Sequence, residues 1–250
     1  MRPLTASHLL ALWESGLDQP LLHRALALLA AVYPETSPET LATLPIGQRD
    51  ARLLNLRAAV FGPRLNSLAT CPTCGERLEL TFDVDDIRTP ELPVSHGEPP
   101  PDGIHTLTLD GYTLTYRLPN SLDLAAISHP APDEDPRQQL FARCLITATH
   151  KGKPYPLERL PEKIVQALTT QMAESDPQAD VQLALTCPAC GNTWQATFDI
   201  LPFLWAEIHA WAQRLLREIH LLASAYGWSE SEILALSPWR RAMYLQMVTQ

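Results

Sequence analysis

The sequence predicts an α+β fold, mainly helical, in which helical N- and C-terminal parts are tied together by a ribbon split into two halves, with a β-hairpin and further helices inserted between them. Three observations carry this. The stretch CPTCGERLELTFDV at Cys71–Val84 returns as CPACGNTWQATFDI at Cys187–Ile200, with seven of fourteen positions identical. Apolar residues recur at helical spacing before the first copy and after the second. Asp110-Gly111 stands between two alternating runs, the strongest short signal of a hairpin turn.

Residues 1–70 read as the N-terminal helical part. Ser7 is placed to cap a helix with Leu9, Leu10 and Trp13 at helical spacing, ending near Gly16. A second helix runs over about 18–33 through Leu21, Leu22, Ala25, Leu26 and Leu29, and Ser37-Pro38-Glu39-Thr40 starts a short third. Gly47-Gln48-Arg49-Asp50 leads a fourth, with Leu53, Leu54, Leu56 and Val60 facing inward, which stops at Phe61-Gly62-Pro63.

Residues 71–84 and 187–200 are the two halves of the ribbon. In each Cys-Pro-x-Cys-Gly turn the Pro fixes φ, the Gly accepts a left-handed conformation and the two thiolates converge about a tetrahedral ion. Two turns supply four sulfurs, so Cys71, Cys74, Cys187 and Cys190 are assigned to one structural zinc. A redox CxxC, a disulfide pair or unliganded thiols are the alternatives. Four cysteines leave no open position for water, which makes the metal a staple rather than a reagent. Behind each Gly the apolar positions alternate, Leu78, Leu80 and Phe82 in one copy and Trp194, Ala196 and Phe198 in the other, so each turn sits at the tip of a short hairpin. Residues 75–186 lie between Cys74 and Cys187, and closing that loop removes roughly 4 to 5 kcal/mol of chain entropy by analogy with a disulfide.

The insertion, 85–186, begins with a proline-rich loop at 90–101, followed by a hairpin of Ile104–Leu109 and Tyr112–Leu118. Asn120 or Ser121 caps a short helix over Leu122–Ile127. An acidic stretch at 130–136 precedes a helix expected over Arg137–Thr149, and another is expected over about Leu157 to Ala173, broken by Asp176-Pro177. Val181–Leu185 reads as the strand into the second metal turn. The C-terminal helical part, 201–250, opens with Pro202 and places Leu204, Ile208, Trp211, Leu215, Ile219 and Leu222 on one stripe, widened by Ala212, Leu216 and Ala223. It ends at Tyr226-Gly227, a capping box at Ser229–Glu232 starts the next helix, and Ser237-Pro238 opens the last. The five segments are read as one composite domain.

Composition excludes several functions. A chain of 250 residues with 46% apolar content can bury a real core, and a net charge of −9 argues against a nucleic-acid binder. No apolar run of 18 residues, signal peptide or lipidation motif is present, so a cytoplasmic location without membrane contact is expected, consistent with reduced cysteines. Cys144, among Phe141, Leu145 and Ile146, reads as a buried small hydrophobe. No phosphate-binding Gly-rich loop, HExxH or GxSxG occurs, the eight histidines are scattered, and the runs at Asp83, Asp85, Asp86 and at Asp133, Glu134, Asp135 read as solvated turns. No enzymatic activity and no small-molecule substrate are expected. Trp205, Trp211, Trp228 and Trp239 crowd the C-terminal part, and because Trp and Arg dominate protein interfaces, these four with Arg240 and Arg241 are the candidate partner-binding residues.

Taken together, Gly47–Asp50, Leu53–Arg57, Phe61-Gly62-Pro63, the two CPxCG turns, Phe203–Ile208, Tyr226–Ser229, Glu232–Arg241 and Tyr244-Leu245 resemble the baseplate hub assembly chaperone family of T-even-like contractile-tailed phages and related contractile injection systems. The resemblance covers roughly residues 40–84 and 110–250. It implies a non-enzymatic protein that helps the central hub or spike proteins assemble and need not remain in the finished particle. A permanent baseplate component is the alternative within that system. A zinc-ribbon nucleic-acid binder and a zinc enzyme are the alternatives outside it.

Overall fold

The computed structural model of the chain describes residues 1–89, 103–128 and 135–248. The proline-rich loop at 90–101 lies outside these residues, as does most of the acidic stretch. Helix α1 (Ala6–Gly16) is capped by Thr5, whose hydroxyl accepts from the His8 N–H, and not by Ser7. Thr5 is the residue that keeps extended backbone (φ −79°, ψ 161°), while Ser7 is already inside the first turn. Helices α2 (Leu21–Val32), α3 (Pro38–Thr43, capped by Ser37) and α4 (Ile46–Phe61) follow, and Gly62 ends α4 at φ 89°. Strands β1 (Arg64–Thr70) and β2 (Arg77–Asp83) form the first hairpin, with Leu65 opposite Phe82 and Ala69 opposite Leu78, and a single turn, α5 (Val84–Ile87), follows.

The inserted hairpin is β3 (Ile104–Leu109) and β4 (Tyr112–Arg117), turned by Asp110 and Gly111 at φ 50° and 79°. Positive φ at both central residues is what a type I′ turn requires, and it matches the twist of the flanking strands. Asn120 caps α6 (Ser121–Ile127), and α7 (Pro136–Cys144) leads directly into β5 (Leu145–His150). Here the expected helix over 137–149 is corrected. Phe141, Leu145 and Ala148 have helical spacing, but Ile146, Thr147 and Thr149 are β-branched, and the segment pairs with β4, Leu114 opposite Ala148 and Tyr112 opposite His150. The strand fills an edge that a helix would have left open. The short β6 (Lys153–Pro154) completes a four-stranded antiparallel sheet, β3-β4-β5-β6. Helix α8 (Glu162–Ser175) starts after Pro161, with only a 3-10 turn over 157–159, so it begins later than expected. Strands β7 (Val181–Thr186) and β8 (Thr193–Phe198) make the second cysteine hairpin. The chain ends in α9 (Ile200–Tyr226), α10 (Glu230–Ala235, with the expected capping box at Ser229) and α11 (Pro238–Val248).

These elements form two compact units, residues 1–34 with 201–250, and residues 35–200. Helices α3 and α4, grouped by sequence with α1 and α2, thus belong to the unit that carries the cysteines. In the first unit α9 buries Leu204, Ile208, Ala212, Leu215, Ile219 and Leu222. Leu10, from α1, and Ile233, from α10, complete the core cluster around its C-terminal half. The stripe is narrower than expected, since Leu216 is exposed and Trp211 half-buried. A Cβ on Gly16 would lie 2.5 Å from the Trp205 ring, so glycine is what lets that indole in, and the Arg24 guanidinium caps the ring's other reach at 4.5 Å. The first unit carries as many Lys and Arg as Asp and Glu, so the whole charge of −9 sits in residues 35–200.

In the second unit, α8 packs Ile164 and Leu168 against Leu114, Tyr116, Leu145 and Ala148 of the sheet. Cys144 is buried, and burial pushes its thiol up to about 11, which fits a small hydrophobe. The N-terminus of α4 is knotted to the rest. Gly47 donates its N–H to Asp176 at 2.9 Å, and there is no room for a Cβ, which would fall 1.9 Å from the Asp176 Oδ1. Buried Arg49 donates to Asp50 at 2.7 Å and to the Ser121 hydroxyl at 3.3 Å. Arg49 and Asp50 line a cavity of about 220 Å³ walled by Leu54, Leu124, Phe198 and Ile200.

That burial has a pH signature. Desolvation pushes the Asp50 carboxyl up to about 6, against the hydrogen bond and charge of Arg49, which lower it, while Asp199 and Asp176 add like charge. A carboxyl whose folded pKa exceeds its unfolded value holds a proton in the folded state through that window, so its contribution is present at low pH and lost as pH rises through about 6. Asp50→Asn removes this term. The stability of the variant relative to the parent is expected to rise between pH 4 and pH 7 by up to about 3 kcal/mol. Denaturant midpoints at the two pH values check the sign.

Candidate metal centre

The two cysteine turns have the same backbone. In the first, Cys71 N–H donates to Glu76 O at 2.8 Å and Gly75 N–H to Cys71 O at 3.0 Å. In the second, Cys187 N–H donates to Asn192 O at 2.8 Å and Gly191 N–H to Cys187 O at 2.9 Å. Gly75 and Gly191 sit at φ 76° and 71°, the left-handed region where a Cβ is strained. The repeated sequence therefore encodes a repeated turn whose job is to present two sulfurs.

Each turn is held at the tip of a hairpin, and the hairpins face one another. Along β2 and β8 the residues Leu78, Leu80, Phe82 and Trp194, Ala196, Phe198 are half-buried while their neighbours are exposed, and the Phe82 and Phe198 rings meet edge to face at 5.7 Å. At the other end the sulfurs converge. Cys71 Sγ lies 3.7 Å from Cys190 Sγ, Cys74 Sγ lies 3.6 Å from Cys187 Sγ, and all four lie within 4.8 Å of one another. A disulfide needs about 2.05 Å, so these are free thiols. A thiolate-to-metal distance of about 2.3 Å puts tetrahedral sulfurs about 3.8 Å apart, close to the spacing of the two pairs that cross between the hairpins. Cys71 and Cys187 are buried, Cys74 and Cys190 exposed, so one side of the cluster opens to solvent.

Electrostatics point the same way. Burial would raise the Cys71 thiol, but N–H groups of Cys74 and Thr73 bring it down to about 6. The Glu76 N–H lowers Cys74, yet the sulfurs of Cys190 and Cys187 push it up to about 12. One thiolate forms readily and then opposes the rest. Four can coexist only around a cation, and the donor set fits one divalent ion.

The candidate partner residues are not brought together in the same way. Trp205 is 9% exposed and packs on Gly16. Trp211 is half-buried beside the core, and Trp228 stacks on Tyr226 (4.6 Å) and meets Tyr244 edge to face (4.9 Å). Arg241 is buried and donates to Glu218 at 2.8 Å, so it serves the fold, contrary to its expected exposure with Trp239 and Arg240. Its position one turn into α11, facing the core side with Tyr244 and Leu245, explains this. Trp239, 72% exposed, and Arg240 stand in solvent.

The polar cluster that the motifs did not reveal is at the start of α6. Asp123, fully buried, accepts from Arg117 at 2.5 and 2.8 Å, from Arg143 at 3.0 Å and from the Asn120 N–H at 3.0 Å. Asn120 was one of the two cap candidates legible in the sequence, but its capping-box partner Asp123 and the two arginines that come from β4 and α7 were not.

Among the described residues no helix is long and apolar enough to cross a membrane. No curated protein and no solved structure matches the chain. The family described as T4 bacteriophage base plate protein matches residues 9–205, a span that includes α4, both cysteine hairpins and the inserted sheet. With most of its length so matched, the chain belongs to the T4 bacteriophage base plate protein family.

Proposed function

We propose that the protein is a non-enzymatic assembly factor, a chaperone for the central hub or spike of a contractile baseplate, acting in the cytoplasm of the cell that makes the particle. The observation that carries this reading is the family match together with a four-sulfur metal site. A baseplate protein whose metal position is closed by four thiolates has a staple, not a reagent, at its centre. The ion is zinc in this reading, since tetrahedral thiolate sites favour it, and the two hairpins it clamps are the halves of a zinc ribbon. A nucleic-acid role is disfavoured because the unit bearing the cysteines carries the full charge of −9, which repels a phosphate backbone.

A tagged copy isolated from cells making particles is expected to bring down hub or spike subunits. Recovery of nucleic acid, or of no tail protein, would sink the reading. A permanent place in the baseplate is the second reading, favoured by the same family match.

A further inference from the structure

We propose that the outer face of α11 is a docking element that seats in an apolar groove with an acidic rim on another baseplate protein. The proposal rests on the baseplate reading for the identity of its partner. The inner face of α11 is spent on the fold, with Arg241, Tyr244, Leu245 and Val248 turned to its own unit. The outer face should then be polar. Instead it presents Trp239, Met243 and Met247 at i, i+4 and i+8, which are 72%, 37% and 62% exposed, flanked by Ala242 and by Gln246, the one polar uncharged side chain on this face. A helix apolar on both faces belongs under a cover.

Three features choose the cover. The exposed side chains stand in line on a convex rod, the pattern by which an amphipathic helix enters a groove. Trp and Met are the anchors such grooves take, one rigid and large, the other adaptable. The flanking charge has one sign, because α11 contains Arg240 and Arg241 and no Asp or Glu, and Arg241 is already paired with Glu218. Arg240, exposed and three residues from Met243, is left to meet a carboxylate on the rim.

A second copy of the chain is disfavoured by area. The three side chains offer on the order of 400 Å² per copy, about half of what each partner contributes to a stable interface. Self-pairing would also supply Arg240 with no acid from α11.

The test uses the full-length tagged chain in cells making particles, with a photo-reactive benzoylphenylalanine in place of Met243. Irradiation is expected to join it to a protein also found in the baseplate of purified particles, at a peptide rich in apolar residues and bordered by Asp or Glu. Met243→Glu and Arg240→Glu should each reduce recovery of that protein about tenfold or more, and Arg240→Glu should be rescued by replacing the facing acid with Lys. Melting temperature and metal content should stay at parental values, because these side chains face solvent. If the wild type recovers the baseplate protein and both variants recover it equally, the docking proposal is wrong while the functional reading stands. If Met243→Glu instead converts a dimer to a monomer in sedimentation, the face is covered by a second copy and the proposal is overturned. If the wild type recovers no baseplate protein, the functional reading falls and this proposal with it.

Discussion

Replacing Cys187 with Ser is expected to lower metal content and melting temperature together. Cys187 Sγ is 3.6 Å from Cys74 Sγ, across the gap between two hairpins that share no strand pairing. A two-stranded hairpin is marginal alone, and the inner faces here are only half-buried, so an ion bound by the four sulfurs would supply the closure that packing does not. The loop it closes spans residues 75–186, worth roughly 4 to 5 kcal/mol of chain entropy on the scaling used for disulfides. For a chain of this size that is a fall of roughly 10 to 20 °C in melting temperature. Cys74→Ser should match it, although Cys74 is exposed and Cys187 buried. Equal effects at unequal burial would identify the lost ligand, not lost packing, as the cause. Loss of metal without a change in melting would make the site dispensable to the fold.

Asp123→Ala is the second large effect, and it acts through a different mechanism. The carboxylate is fully buried and takes four hydrogen bonds, one from the backbone of its own helix cap and three from Arg117 and Arg143. Removing it leaves two guanidinium groups without their partner at the joint of β4, α6 and α7. Breaking a buried pair costs about 3–5 kcal/mol, but both arginines are partly exposed, with 32% and 43% of their side chains accessible, so water recovers some of it and about 2–4 kcal/mol is expected. Burial alone would raise the Asp123 carboxyl, but the bonds from Arg117, Asn120 and Arg143 hold it below the usual range. A depressed folded pKa gives stability that is present above the unfolded value and lost as pH falls through the folded one. The gap between Asp123→Ala and the parent, measured by denaturant midpoints, should therefore narrow on strong acidification. Asp50 has the opposite slope, so the two variants separate the acid limb of the stability curve from the limb between pH 4 and 6.

The cysteine turns were legible because a repeat carries its own control. Two stretches with the same Cys, Pro and Gly in register must solve the same local problem, and each strand's alternation then fixes its inner face. The inserted hairpin was legible for a similar reason, since Asp110-Gly111 permits few backbones. What failed was decided by tertiary contacts. The stretch Leu145–His150 carries both a helical spacing and a β-branched composition, and the open edge of β4 settled it. Arg241 and Trp239 sit two residues apart in one helix, and only the position of Glu218 on α9 shows which of them turns inward. The network around Asp123 draws on three elements, so no local spacing announces it.

In the proposed role the chain assists hub or spike assembly and need not remain in the finished particle. The most direct measurement is the copy number of this protein, by quantitative mass spectrometry, in purified finished particles set against assembly intermediates from the same cells. The proposed chaperone is expected in intermediates together with hub or spike subunits and is expected to be missing from finished particles. A fixed stoichiometry in finished particles would contradict the chaperone role and make the protein a permanent part of the baseplate.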